Sequence, residues 1–136
     1  MEINLCVKNP NTLAVALPFV TDDILRLMQD LVGGYVERVP IGSNVVILCN
    51  EDGIEHNLPA NCGFLGTIVF VEVDHGEWVG LSKENQLKAL KWCEINQFLE
   101  PLFEEFVPKN PRWEVNGDMN DLCKNIDKRL KEWDKL

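Results

Sequence analysis

Val45 to Cys49 reads VVILC, five apolar residues without a polar interruption, and it limits the fold more than any other stretch. So short a run, bounded by turn-forming residues, reads as a β-strand rather than a helix. Apolar on both faces, it needs cover above and below, which places it centrally in a sheet. Leu65 to Val73, LGTIVFVEV, makes the same demand.

The flanking segments supply the cover. Thr21 is placed to cap a helix, because its hydroxyl can accept a bond from an unpaired helical N–H. Asp22 and Asp23 then sit at the positive end of the helix dipole. Ile24, Leu27, Met28 and Leu31 recur at helical spacing and make one apolar stripe. Gly33 suits the left-handed conformation that closes a helix, and Gly34 lets the chain reverse at once. A strand from Tyr35 to Val39 follows, then turn material from Pro40 to Asn44.

Met1 to Lys8 alternates, with Ile3, Leu5 and Val7 on one face, as in a half-buried strand. Asn9-Pro10-Asn11 is a turn. Leu13 to Leu17 reads as a second strand or an extended lead-in that Pro18 stops. Asp52-Gly53 predicts a type I′ hairpin, since both central residues of that turn need positive φ. Ile54 to Leu58 then returns antiparallel until Pro59. Asp74-His75-Gly76 closes the long strand, and Trp78 and Val79 continue as a brief strand or an edge.

Ser82 caps a second helix with Glu84 in its first turn. Trp92, Ile95, Leu99, Leu102 and Phe106 form its stripe, and Pro101 kinks or splits it. Pro108 and Pro111 bracket a loop. Met119, Leu122, Ile126, Leu130 and Trp133 mark a last amphipathic helix. That helix is an appendage on the main body or an oligomer contact, which leaves homo-oligomerisation open. The expected fold is α+β: a mostly antiparallel sheet with a helix packed on it and C-terminal helices. Residues 1–136 read as a single domain, with a core over 21–73 and a helical region over 82–136.

Five cysteines, with no CxxC among them, read as reduced and mostly buried thiols. The first residues lack the basic region of a secretory signal, which argues for the cytoplasm. No run is long and apolar enough to span a bilayer. The net charge of −9 disfavours direct binding to nucleic acid or to anionic membranes. It reads as a solubilising surface, or as an acidic imitation of the DNA backbone.

Catalytic motifs are missing. There is no GxSxG, P-loop, HExxH or GxGxxG, and Gly33-Gly34 follows a helix where a phosphate loop precedes one. Cys49, His56 and Cys62 offer three potential zinc ligands, but buried strand thiols account for the cysteines, so no metal and no cofactor is expected. Adjacent carboxylates read as solvated faces. The polar residues Tyr35, Glu37, Arg38, Asn50, Glu51 and Asn61 are expected near one end of the sheet, as a ligand-binding cluster or as turn caps and cross-strand pairs. Arg38 would offer a fork for a phosphate or carboxylate. Trp78, Trp113 and Trp133 hint at a partner surface.

Leu31-Val32-Gly33-Gly34-Tyr35-Val36-Glu37, Asn50-Glu51-Asp52-Gly53, Leu58-Pro59 with Asn61, and Gly66-Thr67 together resemble a family of small proteins, domain of unknown function 3846. The likeness covers about a third of the chain. It implies a gene of phages, plasmids or other mobile elements acting in a bacterial cytoplasm, and it implies no activity. The expected function is binding rather than catalysis, with a host protein as partner and an anti-defence or host-modulating role. The alternatives are a binder or sponge for a small anionic or nucleotide ligand, and an acidic DNA mimic.

Overall fold

The computed structural model of the chain describes residues 1–98 and 132–136. The strands are β1 (Glu2–Lys8), β2 (Val15–Val20), β3 (Val36–Pro40), β4 (Val45–Asn50), β5 (Ala60–Asn61), β6 (Phe64–Leu65), β7 (Ile68–Asp74) and β8 (Glu77–Val79). The helices are α1 (Ile24–Val32) and α2 (Lys83–Asn96). A six-stranded sheet runs in the order β2-β1-β7-β4-β3, with β8 paired to β7 where the β1 pairing has ended. Every pairing is antiparallel. The fold is therefore α+β. Among the described residues, no helix is long and apolar enough to cross a membrane.

β4 lies between β3 and β7, and all six of its residues are buried. Strand alternation sends Val46 and Leu48 to one face and Val45, Ile47 and Cys49 to the other. The first face packs under α1 through Met28 and Val32. Burying side chains of this size stabilises by about 1.5–3 kcal/mol each. The second face packs under α2 through Ala89, Trp92 and Cys93, with Trp133 beside them. Trp92 meets Phe70 edge-on at 5.6 Å between ring centres, and Trp133 stacks on Phe70 at 6.0 Å. Trp133 thus closes the core, and Trp78 packs half-buried against the α1 face, so neither forms an open partner surface.

Several local expectations are corrected. The cap of α1 is Asp23, whose carboxylate accepts the Arg26 N–H at 3.1 Å. Thr21 is held outside the helix because its N–H bonds to Met1 O and its hydroxyl accepts from Asp23 N. Strand β2 runs through Pro18, since β2 is an edge strand and the missing N–H costs no ladder bond. β1 is buried on both faces, not one, because α1 lies on one side and α2 on the other: Leu5 and Cys6 are both 0% exposed. Gly66, at φ 80, breaks the long apolar run into β6 and β7. On α2 the buried residues are Ala89, Trp92, Cys93 and Asn96, while Ile95 faces solvent. Gly33 does close α1, at φ 79 with its N–H on Gln29 O.

The Asp52-Gly53 hairpin does not form. Both edges of β4 are occupied by β3 and β7, so a returning strand has no place to pair. Residues 51–57 instead coil through tight turns, with His56 N on Asp52 O and Leu58 N on Gly53 O, both at 3.0 Å. The two-residue turn with both φ positive is Cys62-Gly63, at 51° and 86°, joining β5 to β6. The kink at Pro101, the loop of Pro108 and Pro111, Trp113 and the last helix up to Leu130 fall outside the described residues.

Candidate functional site

The register places Tyr35, Glu37, Asn50, Glu51 and Asn61 at one end of the sheet, the end where Lys8 meets Ile68. Neither the hollow beside Arg38 nor the groove beside Lys8 brings them together. Tyr35 is exposed, and its carbonyl accepts the Glu51 N–H at 2.8 Å. Glu37 lies opposite Cys49, on the α2 face. Burial, and then the charge of Glu51, raise its carboxyl above the ordinary 4.5. Burial, and then the charge of Glu37, push the Cys49 thiol up to about 12. Two carboxylates at this lip repel an anion rather than attract one. Arg38 lies opposite Leu48, so it points away from Glu37 to the other face. It borders a shallow hollow of about 280 Å³ with Pro40, the turn over residues 42–46 and Val73.

The two asparagines are buried and hold backbone. Asn50 donates to Val32 O at 3.1 Å and accepts the Asp52 N–H at 2.8 Å. It therefore ties the end of α1 to the coil that follows β4. Gly34 passes so close that a Cβ there would sit 2.9 Å from the Asn50 amide nitrogen. Asn61 donates to Lys8 O at 2.8 Å and to Gly66 O at 2.9 Å, and accepts Lys8 Nζ at 3.0 Å. A Cβ at Gly66 would meet Leu58 at 2.8 Å. The double glycine with Asn50, and Leu58 with Asn61 and Gly66, are thus two hydrogen-bonded and packed units.

Asn61 leads to a site that sequence reasoning missed. Lys8 ends β1 on the α2 face, the face of Cys6, and it is only 7% exposed. Its ammonium donates to Asn9 O at 2.8 Å and to Asn61 Oδ1, both neutral acceptors. The ion pairs among the described residues do not include it. An ammonium carries three donors, so one N–H has no acceptor among the described residues. A buried charge without a counter-charge is costly, by several kcal/mol before hydrogen bonds offset it.

Lys8 lines a groove of about 400 Å³ between the β1–β2 turn and α2. Thr12, Leu13 and Ala14 form one wall. Leu90, Cys93, Glu94 and Gln97, at the spacing of one helix face, form the other. The size lies within the roughly 300–1,000 Å³ of small-ligand sites, and the lining has their mixed character: an apolar wall with a few polar groups. The signal in the sequence was the alternation itself. Once β1 is read as covered on both faces, Asn4, Cys6 and Lys8 fall under α2, and a lysine there is conspicuous.

Behind the groove, Cys93 meets Cys6 and Cys62. Hydrogen bonding with Cys6, then with Cys62, and burial push the Cys93 thiol far up, and Cys62 Sγ–H reaches Cys93 O at 3.6 Å. The Cys93 thiol stays protonated, and the three buried side chains serve as small apolar fillers. Among the described residues, no group of three or more His, Cys, Asp or Glu side chains is arranged to hold a metal ion.

The model of the family described as Domain of unknown function (DUF3846) matches residues 4–94, which take in the sheet, α1 and nearly all of α2. No curated protein and no solved structure matches the chain.

Proposed function

The chain belongs to the family described as Domain of unknown function (DUF3846), and from that premise we propose that it is a binding protein for a small organic anion, held in the Lys8 groove. One observation carries the reading: a nearly fully buried lysine, whose ammonium meets only neutral acceptors among the described residues, lines a groove large enough for a ligand. An anion there gains a charge-assisted hydrogen bond and relieves an uncompensated charge. Asn61 and Asn9 hold the ammonium in place before the ligand arrives, which lowers the ordering cost of binding. The cytoplasm of a bacterial host is the compartment that suits such a role.

The test is a melting-temperature screen of the purified protein with short monocarboxylates and with inorganic phosphate, beside mass spectrometry of small molecules released on denaturation. We expect monocarboxylates to raise Tm. Lys8→Met keeps the aliphatic stem and removes the charge. It should abolish the response, while the unliganded protein changes little in stability, because loss of the buried charge offsets the stranding of Asn61 Oδ1. A Lys8→Met protein that responds like the parent would remove Lys8 from the site and sink the proposal.

A second reading has its own support. Along the outer sheet edge, Val15 and Leu17 expose apolar side chains on one face, at 45% and 44%, Val20 exposes one on the other face, at 82%, and Leu13 exposes one just before the strand, at 86%. That edge suits docking of a host protein, in the phage or mobile-element setting and the host-modulating role expected of this family. If Leu17→Lys and Val20→Lys together leave co-purification with a defined host partner unchanged, the edge is ordinary surface.

A further inference from the structure

The groove carries a second charge of opposite sign. Glu94 sits on its α2 wall, is exposed to solvent, and enters none of the ion pairs among the described residues. Lys8 is buried and Glu94 is open to solvent, and Leu13, Ala14 and Leu90 add apolar lining to the same groove. A site built this way reads a ligand as two charges and an aliphatic body.

The lining also argues against other anions. A phosphate dianion would meet one ammonium with a carboxylate close by, on a chain of net charge −9. Among the described residues, the lining offers a nucleotide no aromatic ring to stack on and no glycine-rich loop before a helix. A plain fatty carboxylate satisfies Lys8 but brings its negative charge towards Glu94 unanswered. A ligand with both a carboxylate and an ammonium satisfies both residues.

We propose that the groove binds an aliphatic amino carboxylate, a free amino acid or a close relative. Its carboxylate sits on Lys8, its ammonium faces Glu94, and its hydrocarbon lies against Leu13, Ala14 and Leu90. This rests on the reading of Lys8 as the partner of a ligand carboxylate and extends it to one chemical class, the zwitterions. The Gln97 amide and the Thr12 hydroxyl supply further neutral partners at the rim.

Titration calorimetry at low salt separates the possibilities, using L-leucine, 5-aminopentanoate and 4-methylpentanoate as probes. The first two carry an ammonium at different spacings, and the third carries none. At least one amino carboxylate should bind about threefold or more tighter than 4-methylpentanoate, the scale of one partly exposed ion pair. Which one wins sets the spacing of the two charges. Glu94→Gln should erase that preference and leave 4-methylpentanoate binding as tightly as before or tighter, since a like charge has gone. Equal affinities in the parent, or a preference that survives Glu94→Gln, would overturn the amino-carboxylate proposal while the small-anion reading stands. Amino-carboxylate binding that survives Lys8→Met, or binding of inorganic phosphate with none of the three probes, would overturn the proposed carboxylate contact at Lys8.

Discussion

The two faces of the sheet are built on different principles. Under α1 the core is aliphatic, with Ile3, Leu5, Val7, Val46, Leu48, Val69 and Val71 against Met28 and Val32, and one buried polar residue, Asn50, holds the end of the helix through Val32 O. Under α2, a few large rings and four buried thiols fill the core, and Lys8, Asn61 and Asn96 are buried beside it. The first face is a dry contact that many interchangeable aliphatics can satisfy. The second is specified by particular side chains, each with a particular partner. The difference teaches where to look for function. Buried polar groups are expensive unless paired, and of them Lys8, whose acceptors among the described residues are neutral, lines a groove.

The largest effect should come from the rings. Trp92→Ala removes a fully buried indole and should cost about 3–5 kcal/mol in a denaturant titration. Met28→Ala, its counterpart under α1, falls in the range of about 2–5 kcal/mol and should be the smaller loss. If Met28→Ala proves the more damaging, the aliphatic face rather than the aromatic one anchors the fold. Trp92→Phe should be milder than either, because Trp92 Nε1 is a buried donor without a partner among the described residues, and its removal offsets part of the lost volume.

Asn61→Ala and Asn50→Ala come next, at about 1–3 kcal/mol each, because each strands buried backbone groups. The contrast lies in the second readout. Asn61→Ala should also weaken carboxylate binding, since it frees the Lys8 ammonium, whereas Asn50→Ala should leave binding unchanged. Equal loss of binding in both variants would mean that the groove depends on global stability and not on Asn61.

Glu37→Gln should give a small, pH-dependent effect. The folded carboxyl is raised above its unfolded value near 4.5, so the folded state holds its proton more tightly. The contribution of Glu37 is most favourable below pH 4.5 and is lost as pH rises through the raised value. Glu37→Gln should therefore melt slightly higher than the parent at pH 7, with the gap closing towards pH 4.5. The effect is modest because water reaches the group and screens it. A gap that widens as the pH falls would reverse the sign argued here. Arg38→Ala, at the exposed edge strand, should shift stability by less than about 0.5 kcal/mol and leave the Lys8 groove untouched. A binding loss in that variant would return attention to the hollow beside Arg38.

Periodicity and local turn chemistry by themselves determined the elements that depend on neighbours in sequence. The VVILC strand, the α1 stripe, the Gly33 stop and the Ser82 cap are such cases, because helix spacing, left-handed glycine and cap hydrogen bonds span only a few residues. The α+β class followed from them. Tertiary structure alone decided the rest. Asp52-Gly53 is a hairpin signal, yet which edge of β4 is free depends on β3 and β7. Asn50 and Asn61 look like available ligand groups, yet their partners are the carbonyls of Val32, Lys8 and Gly66, the first two 18 and 53 residues away in sequence. Lys8 looks like the polar end of a strand, and only the packing of α2 over β1 turns it into a buried charge facing a groove. Pairing edges, burial and the partners of a side chain are properties of residues far apart in the chain, so no local pattern records them.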